Sequence, residues 1–280
     1  DAAPLDAHLA APLRLFNVSH AGAWAHANGV VSLGAANPER DATHDYGADK
    51  DESAWSHLAT PRVSALFDDL WCSTGGVYVE SIGADDDDPD DDGRGARLVV
   101  TWWDVRHVSK RSSDVDAYRI FFQVGFFYET GIVFVAFGDV GYLDGGLVGL
   151  SPGALDVARL ASADLSSCAA APLYAYAPCA DDGGDGDDSG SDDDAADLPA
   201  GVSARLCASA RASVAPFERV AAADAAGRLA GRAVVFTPAN TSSGERGYAF
   251  EVIEHGAGGW GDVEADAAAS ADAAASACGA

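Results

Sequence analysis

The sequence predicts an all-β protein: a two-layer antiparallel β-sandwich with long acidic loops and a C-terminal strand pair. Three observations predict it. Short β-branched or aromatic runs, ended by Gly, Asn, Asp or Pro, recur through the first 155 residues and return after 211. Long helical periodicity is missing from the first part of the chain. The most apolar stretch, residues 121–140, divides around Glu129-Thr130-Gly131 into two β-rich runs, which is a hairpin signature.

Taken in order, LRLFNV (13–18), GVVSLG (29–34), RVSALF (62–67), GVYVES (76–81) and ARLVVTWW (96–103) read as strands. Between the second and third, residues 37–60 read as a long polar loop with one helical turn near Glu52 to Leu58. The run DDDDPDDD at 85–92 falls where a hairpin would turn, so it reads as a solvated loop. The 119–138 hairpin is expected at the centre of the fold. A membrane span is the competing reading of this stretch. Gln123, Gly125 and Glu129 would be costly in lipid, and flanking positive charge is lacking.

From 154 to 200 the composition turns rich in Ala, Ser, Asp and Gly, with a short helix or turn expected near Leu155 to Leu165. Strands return in ASVAPFERV (212–220), GRAVVFTP (231–238) and GYAFEVIE (247–254). The expected organisation is therefore a sandwich module over 12–160, an acidic linker or insert over 161–200, a β segment over 201–260 and a flexible tail over 261–280. The last β segment either completes the sandwich or forms an appendage.

The chain of 280 residues carries 44 acidic and 17 basic side chains, for a net charge of -27. The two Asp-rich runs, 85–92 and 181–194, hold 15 of the acids, and the remainder is still acidic. Nucleic acid and anionic lipid are poor partners for such a surface, because both need a basic footprint. There is no methionine and no basic-then-apolar leader, so the sequence reads as a mature chain or an excised fragment. Five cysteines are widely spaced without a CxxC pair. One or two disulfides among Cys72, Cys168, Cys179 and Cys207 are expected of a secreted chain, with Cys278 as the fifth thiol. Asn17-Val18-Ser19 and Asn240-Thr241-Ser242 match the acceptor pattern for N-glycosylation, the second in an expected loop.

A family resemblance rests on motifs in fixed order. These are Asn28 to Gly34 (NGVVSLG), Pro61 to Leu70 (PRVSALFDDL), Val99 to Val105 (VVTWWDV), Phe122-Gln123-Val124, Gly131 to Phe134 (GIVF) and Asp144 to Gly153 (DGGLVGLSPG). The series resembles secreted β-rich modules of large bacterial and algal surface proteins, reminiscent of the nidogen NIDO domain. Leu229 to Pro238 (LAGRAVVFTP), followed by Gly247-Tyr248, resembles a segment that follows those modules. The resemblance covers about residues 12–155 and, less closely, 211–253. It implies an extracellular or cell-surface location and a non-enzymatic role in adhesion, matrix or filament assembly. Other extracellular proteins or glycans, and copies of itself, would be the partners. No catalytic residues come with it. The two Asp-rich inserts and Cys72 depart from its pattern.

Within these motifs, Asn28-Gly29 suits a tight turn, since both residues tolerate positive φ. Asp68 and Asp69 end a strand, where they would accept backbone bonds or, in a sharper reading, hold a cation. Gly149-Leu150-Ser151-Pro152-Gly153 fits the G-x-S-x-G nucleophile elbow literally. The elbow draws its oxyanion donor from the residue after the serine, and Pro152 has no N–H, so a serine esterase at Ser151 is disfavoured. A strand-ending turn accounts for the motif better.

The seven histidines show no HExxH or HxH spacing, and they read mostly as loop or surface residues. No cofactor is expected except calcium. Asp185, Asp187, Ser189 and Asp193 imitate the start of an EF-hand loop, but Ala196 stands where the bidentate Glu belongs. Weak diffuse cation binding by the acidic runs is the broader expectation. Trp102 and Trp103 are adjacent on one strand, so they should point to opposite faces, one into the core and one available to a sugar or a partner.

Overall fold

The structure is a computed structural model. It describes residues 2–34, 57, 60–72, 75–83, 95–110, 116–143, 146–153, 205–206, 217–220, 229–240 and 246–254. The linker 161–200, the tail 261–280 and most of the segment 37–60 lie outside the described residues.

Sixteen strands form among the described residues. In the first half these are β1 (Ala2–Pro4), β2 (Leu13–Leu15), β3 (Val18–His20), β4 (Ala23–His26), β5 (Val30–Leu33), β6 (Pro61–Phe67), β7 (Leu70–Trp71) and β8 (Gly76–Ile82). The rest are β9 (Arg97–His107), β10 (Ile120–Phe127), β11 (Val133–Val140), β12 (Gly146–Pro152), β13 (Arg205–Leu206), β14 (Phe217–Val220), β15 (Arg232–Asn240) and β16 (Arg246–Glu254). Every pairing is antiparallel. The fold is therefore all-β.

Two sheets enclose one core. The smaller has the order β1-β4-β5-β6-β12-β14. The larger runs β13-β16-β15-β11-β10-β9, and β7 and β8 share the far edge of β9. One of the sheets curls as a half-barrel. β2 and β3 make a separate hairpin. Val31, Val63 and Leu150 from the smaller sheet meet Val100, Trp102, Phe122, Val124 and Val135 from the larger one in a single apolar cluster. The side-chain alternation of β-strands explains this, because successive residues leave the core face for the outer face.

The β10–β11 hairpin is central, with Val124 opposite Val135 and Gly125 opposite Phe134. Its loop is Tyr128 to Ile132, and Gly131 there has φ of 69°. β15 pairs with β11, so the C-terminal strand pair extends the larger sheet. The described residues contain no helix long and apolar enough to cross a membrane.

Bulges interrupt the regular pairing in β6 of the smaller sheet and in β9 of the larger one. In β6, the Gly29 carbonyl accepts both the Ala65 and the Leu66 N–H, at 2.9 and 3.2 Å, so two residues stand opposite one. The bulge lets Ala65 and Leu66 both face the core while Phe67 faces away. In β9, Val105 pairs with Ile120 and Trp102 with Phe122, so Trp103 and Asp104 together stand opposite Phe121. Asp104 takes φ of 52° there. Gly75 makes room for this second bulge, since a Cβ on it would lie 1.7 Å from the Trp103 carbonyl oxygen.

The run LRLFNV, expected as one strand, is instead a hairpin. Phe16 and Asn17 both take positive φ, 50° and 63°, and turn the chain between β2 and β3. Two successive positive φ values define the type I′ geometry that suits two-residue hairpins. The strain on Phe16 is set against a ring contact: it packs edge-on to Tyr248 at 4.9 Å.

Candidate functional site

The outer face of the larger sheet, over β7, β8 and β9, gathers the exposed aromatic side chains. Among the described residues, the large apolar side chains that stand exposed are Trp71 (43%), Tyr78 (59%), Trp103 (51%) and Val18. Three of the four are aromatic and share this face. Leu70 points into the core, so Trp71 points outward beside it. Val77 and Val79 pack against the core, so Tyr78 and Glu80 turn outward between them. Trp103 is delivered outward because Trp102 faces the core.

The aromatic rings on this face are supported. Trp103 lies edge-to-face on Phe121, centroids 4.8 Å apart with 76° between planes. Gly76 is the β8 partner of Trp103, and the Tyr78 ring leans over it, 3.4 to 3.6 Å from where a Cβ would be. A Cβ at position 76 would rest in ordinary contact with that ring. Next to Trp103, Asp104 forms an ion pair with Arg119, Nε to Oδ1 3.4 Å, both partly exposed. Apolar ring faces and charged hydrogen-bonding groups therefore alternate over a few residues.

Trp102 is not ligand-facing. Its indole is fully buried, stacks on Phe122 at 4.8 Å and 8°, and donates its N–H to the His26 carbonyl at 2.9 Å. That bond ties the larger sheet to the smaller one across the core. Asn17 occupies the exposed β2–β3 turn, and Asn240 is the last residue of β15 rather than a loop residue. Cys72 is half-buried and carries a free thiol, whose pKa burial pushes up. Cys168, Cys179 and Cys207 lie outside the described residues, as do Asp185, Asp187, Ser189 and Asp193.

Asp68 and Asp69 are buried. The Asp68 carboxylate accepts the Asp69 N–H at 2.8 Å and lies 3.7 Å from His107 Nε2. The corner is joined to the Asn28-Gly29 turn, where Asn28 Oδ1 accepts the Leu70 N–H at 3.2 Å. Gly29 has φ of 78°, and its Cβ would meet the Leu66 carbonyl oxygen at 2.1 Å. Among the described residues, no three His, Cys, Asp or Glu side chains converge as metal ligands. Ser151 lies in antiparallel β12, fully buried, and its hydroxyl accepts the Gly153 N–H at 3.1 Å.

The expectation of surface histidines fails for His26, His57 and His107, which are buried. The first two belong to a polar belt on the outer face of the smaller sheet. His26 Nε2 shares a hydrogen bond with Ser32, and His57 Nδ1 shares one with Ser64 at 2.8 Å. Arg62 is also buried and is held by Thr60. Burial, reinforced by the Arg62 charge, lowers the pKa of His26 to about 4 and that of His57 to about 3. Both rings are neutral at ordinary pH, each bonded to a serine. Their spacing gave no sign of this: His26 is set by the strand face it occupies, and His57, outside the strands, by its bond to Ser64.

The sequence alone did not single out Trp71 and Tyr78 as companions of Trp103. The Val-Tyr-Val alternation in β8 carried the signal, since two core valines force the residue between them outward. No protein-family model, curated protein or solved structure matches the chain.

Proposed function

We propose that this chain is a non-catalytic extracellular module that serves adhesion, matrix or filament assembly, with the outer face of β7, β8 and β9 as its contact surface. The observation that carries the reading is the placement of Trp71, Tyr78 and Trp103, three exposed aromatic side chains, on one sheet face. Solvent exposure of single apolar residues is ordinary, but a grouped set of rings with a charged rim is characteristic of contact surfaces. The order of the NGVVSLG, PRVSALFDDL, VVTWWDV and DGGLVGLSPG motifs supports a surface-protein relationship, and the sequons at Asn17 and Asn240 are consistent with secretion. An esterase centred on Ser151 has less support, because that hydroxyl is buried and followed by Pro152.

Adhesion of beads carrying the full chain to a surface coated with extracellular matrix material, read as resistance to flow, tests this directly. Beads with the native chain should hold, and beads with the Trp103→Ala, Tyr78→Ala double variant should detach more readily. Adhesion no better than that of albumin-coated beads would overturn the reading. Calcium assistance by the acidic runs, including Asp185, Asp187, Ser189 and Asp193, belongs to the same proposal. It predicts a rise in unfolding temperature when calcium is added after chelator treatment, and no rise would remove it.

A further inference from the structure

The aromatic face has a more specific chemistry than general stickiness. Trp71, Tyr78 and Trp103 come from β7, β8 and β9, so the rings are separate from one another rather than parts of one greasy segment. Polar groups stand among them: Glu80 two residues from Tyr78 on the same face of β8, and the Asp104–Arg119 ion pair beside Trp103. Protein–protein interface cores are depleted of charge and packed as continuous apolar patches. This face is neither continuous nor free of charge, and among the described residues it exposes no large aliphatic side chain.

From this texture we propose that the face binds a neutral carbohydrate chain, an inference that rests on the adhesive reading. Each sugar ring carries an apolar C–H face and an edge of hydroxyls, which matches flat aromatic faces alternating with hydrogen-bonding groups. Part of the face is braced in advance of binding. Phe121 braces the Trp103 ring edge-to-face, and the Tyr78 ring lies over Gly76, which lowers the side-chain entropy to be lost when ligand arrives.

Charge selects the ligand class. Asp104 and Arg119 neutralise each other and Glu80 adds an exposed carboxylate, so the face repels anions and offers hydrogen-bonding partners to hydroxyls. The chain as a whole carries -27, which opposes sulfated and uronic-acid polymers.

The experiment uses the full chain and isothermal titration with four neutral hexasaccharides, made of β-1,4-linked glucose, xylose, mannose and N-acetylglucosamine, with heparin and alginate oligosaccharides as anionic probes. At least one neutral hexasaccharide should bind, and both anionic probes should bind more weakly than it does. Trp103→Ala and Tyr78→Ala should each weaken that binding by about ten-fold or more, whereas Val18→Ala, at an exposed site on the separate β2–β3 hairpin, should leave it unchanged. Circular dichroism and thermal unfolding establish that each variant is folded; if Trp103→Ala is not, Tyr78→Ala and Trp71→Ala decide. Binding to none of the neutral probes, tighter binding of an anionic one, or binding indifferent to these ring deletions overturns the proposal. Should bead adhesion still depend on Trp103 and Tyr78 while no neutral sugar binds, the carbohydrate assignment falls and the adhesive role stands. Loss of both would remove the adhesive role as well.

Discussion

Two neighbouring tryptophans separate stability from recognition at the scale of single residues. Trp102→Ala removes a buried stacked indole and its bond to the His26 carbonyl, which keeps the Gly29 N–H as donor. We expect it to cost about 3 to 5 kcal/mol, read as a shift in the denaturation midpoint. Trp103→Ala loses chiefly an edge contact with Phe121 and should cost under about 1 kcal/mol in the same measurement. Comparable losses for the two would contradict the opposite-face assignment. Gly29 is as exacting as Trp102 for a different reason. Its left-handed backbone and its approach to the Leu66 carbonyl leave no room for a Cβ, so Gly29→Ala should destabilise by more than about 1 kcal/mol in thermal unfolding.

At the scale of elements, Tyr248 fastens three pieces of chain. From β16 its hydroxyl donates to the Gly131 carbonyl at 2.9 Å, and its ring receives Phe16 from the β2–β3 turn. Burial raises the pKa of that hydroxyl, so it remains a donor at ordinary pH. Tyr248→Phe keeps the ring and deletes the bond, at a cost of about 1 to 2 kcal/mol. Amide hydrogen exchange should accelerate around Gly131 and remain unchanged in β4 and β5; uniform acceleration would refute this local role. Most strands were legible because period-two alternation and Gly or Asp punctuation are local signals. The Phe16-Asn17 turn was not, since a bulky residue at positive φ is held there by Tyr248, more than two hundred residues away. The two bulges escaped for a related reason: each is set by a partner strand, through the Gly29 carbonyl for β6 and through Phe121 for β9. In the candidate site, Trp103 was legible from its adjacency to Trp102. Tyr78 and Trp71 required knowing that β7 and β8 border the same strand.

For the whole molecule, the buried histidines set a response to acid. His26 faces Ser32 and the Arg62 charge, with a smaller influence from the N-terminal amino group; His57 faces Ser64, Arg62 and the Leu150 backbone. Both folded-state pKa values lie below the ordinary histidine value of about 6.5, so the unfolded chain binds more protons than the folded one. Stability is therefore complete above about pH 6.5 and is lost as the pH falls towards about 4 for His26 and about 3 for His57. Each ring contributes a slope of up to about 1.4 kcal/mol per pH unit in that window. Urea denaturation at a series of pH values should give a shallower slope for His57→Gln than for the native chain. An unchanged slope would mean that His57 does not remain neutral in the folded state.

The bulge at Trp103 and Asp104 changes what one strand can display on the outer face of the larger sheet. In a strictly alternating strand, two successive residues cannot serve one face, so a ring and its charged companion must come from different strands or from a loop. Here one extra residue in β9 supplies both, and the sheet itself carries the contact groups. A single extra residue in β9 thus lets one strand display a ring and an ion-pair partner together on the outer face of the sheet.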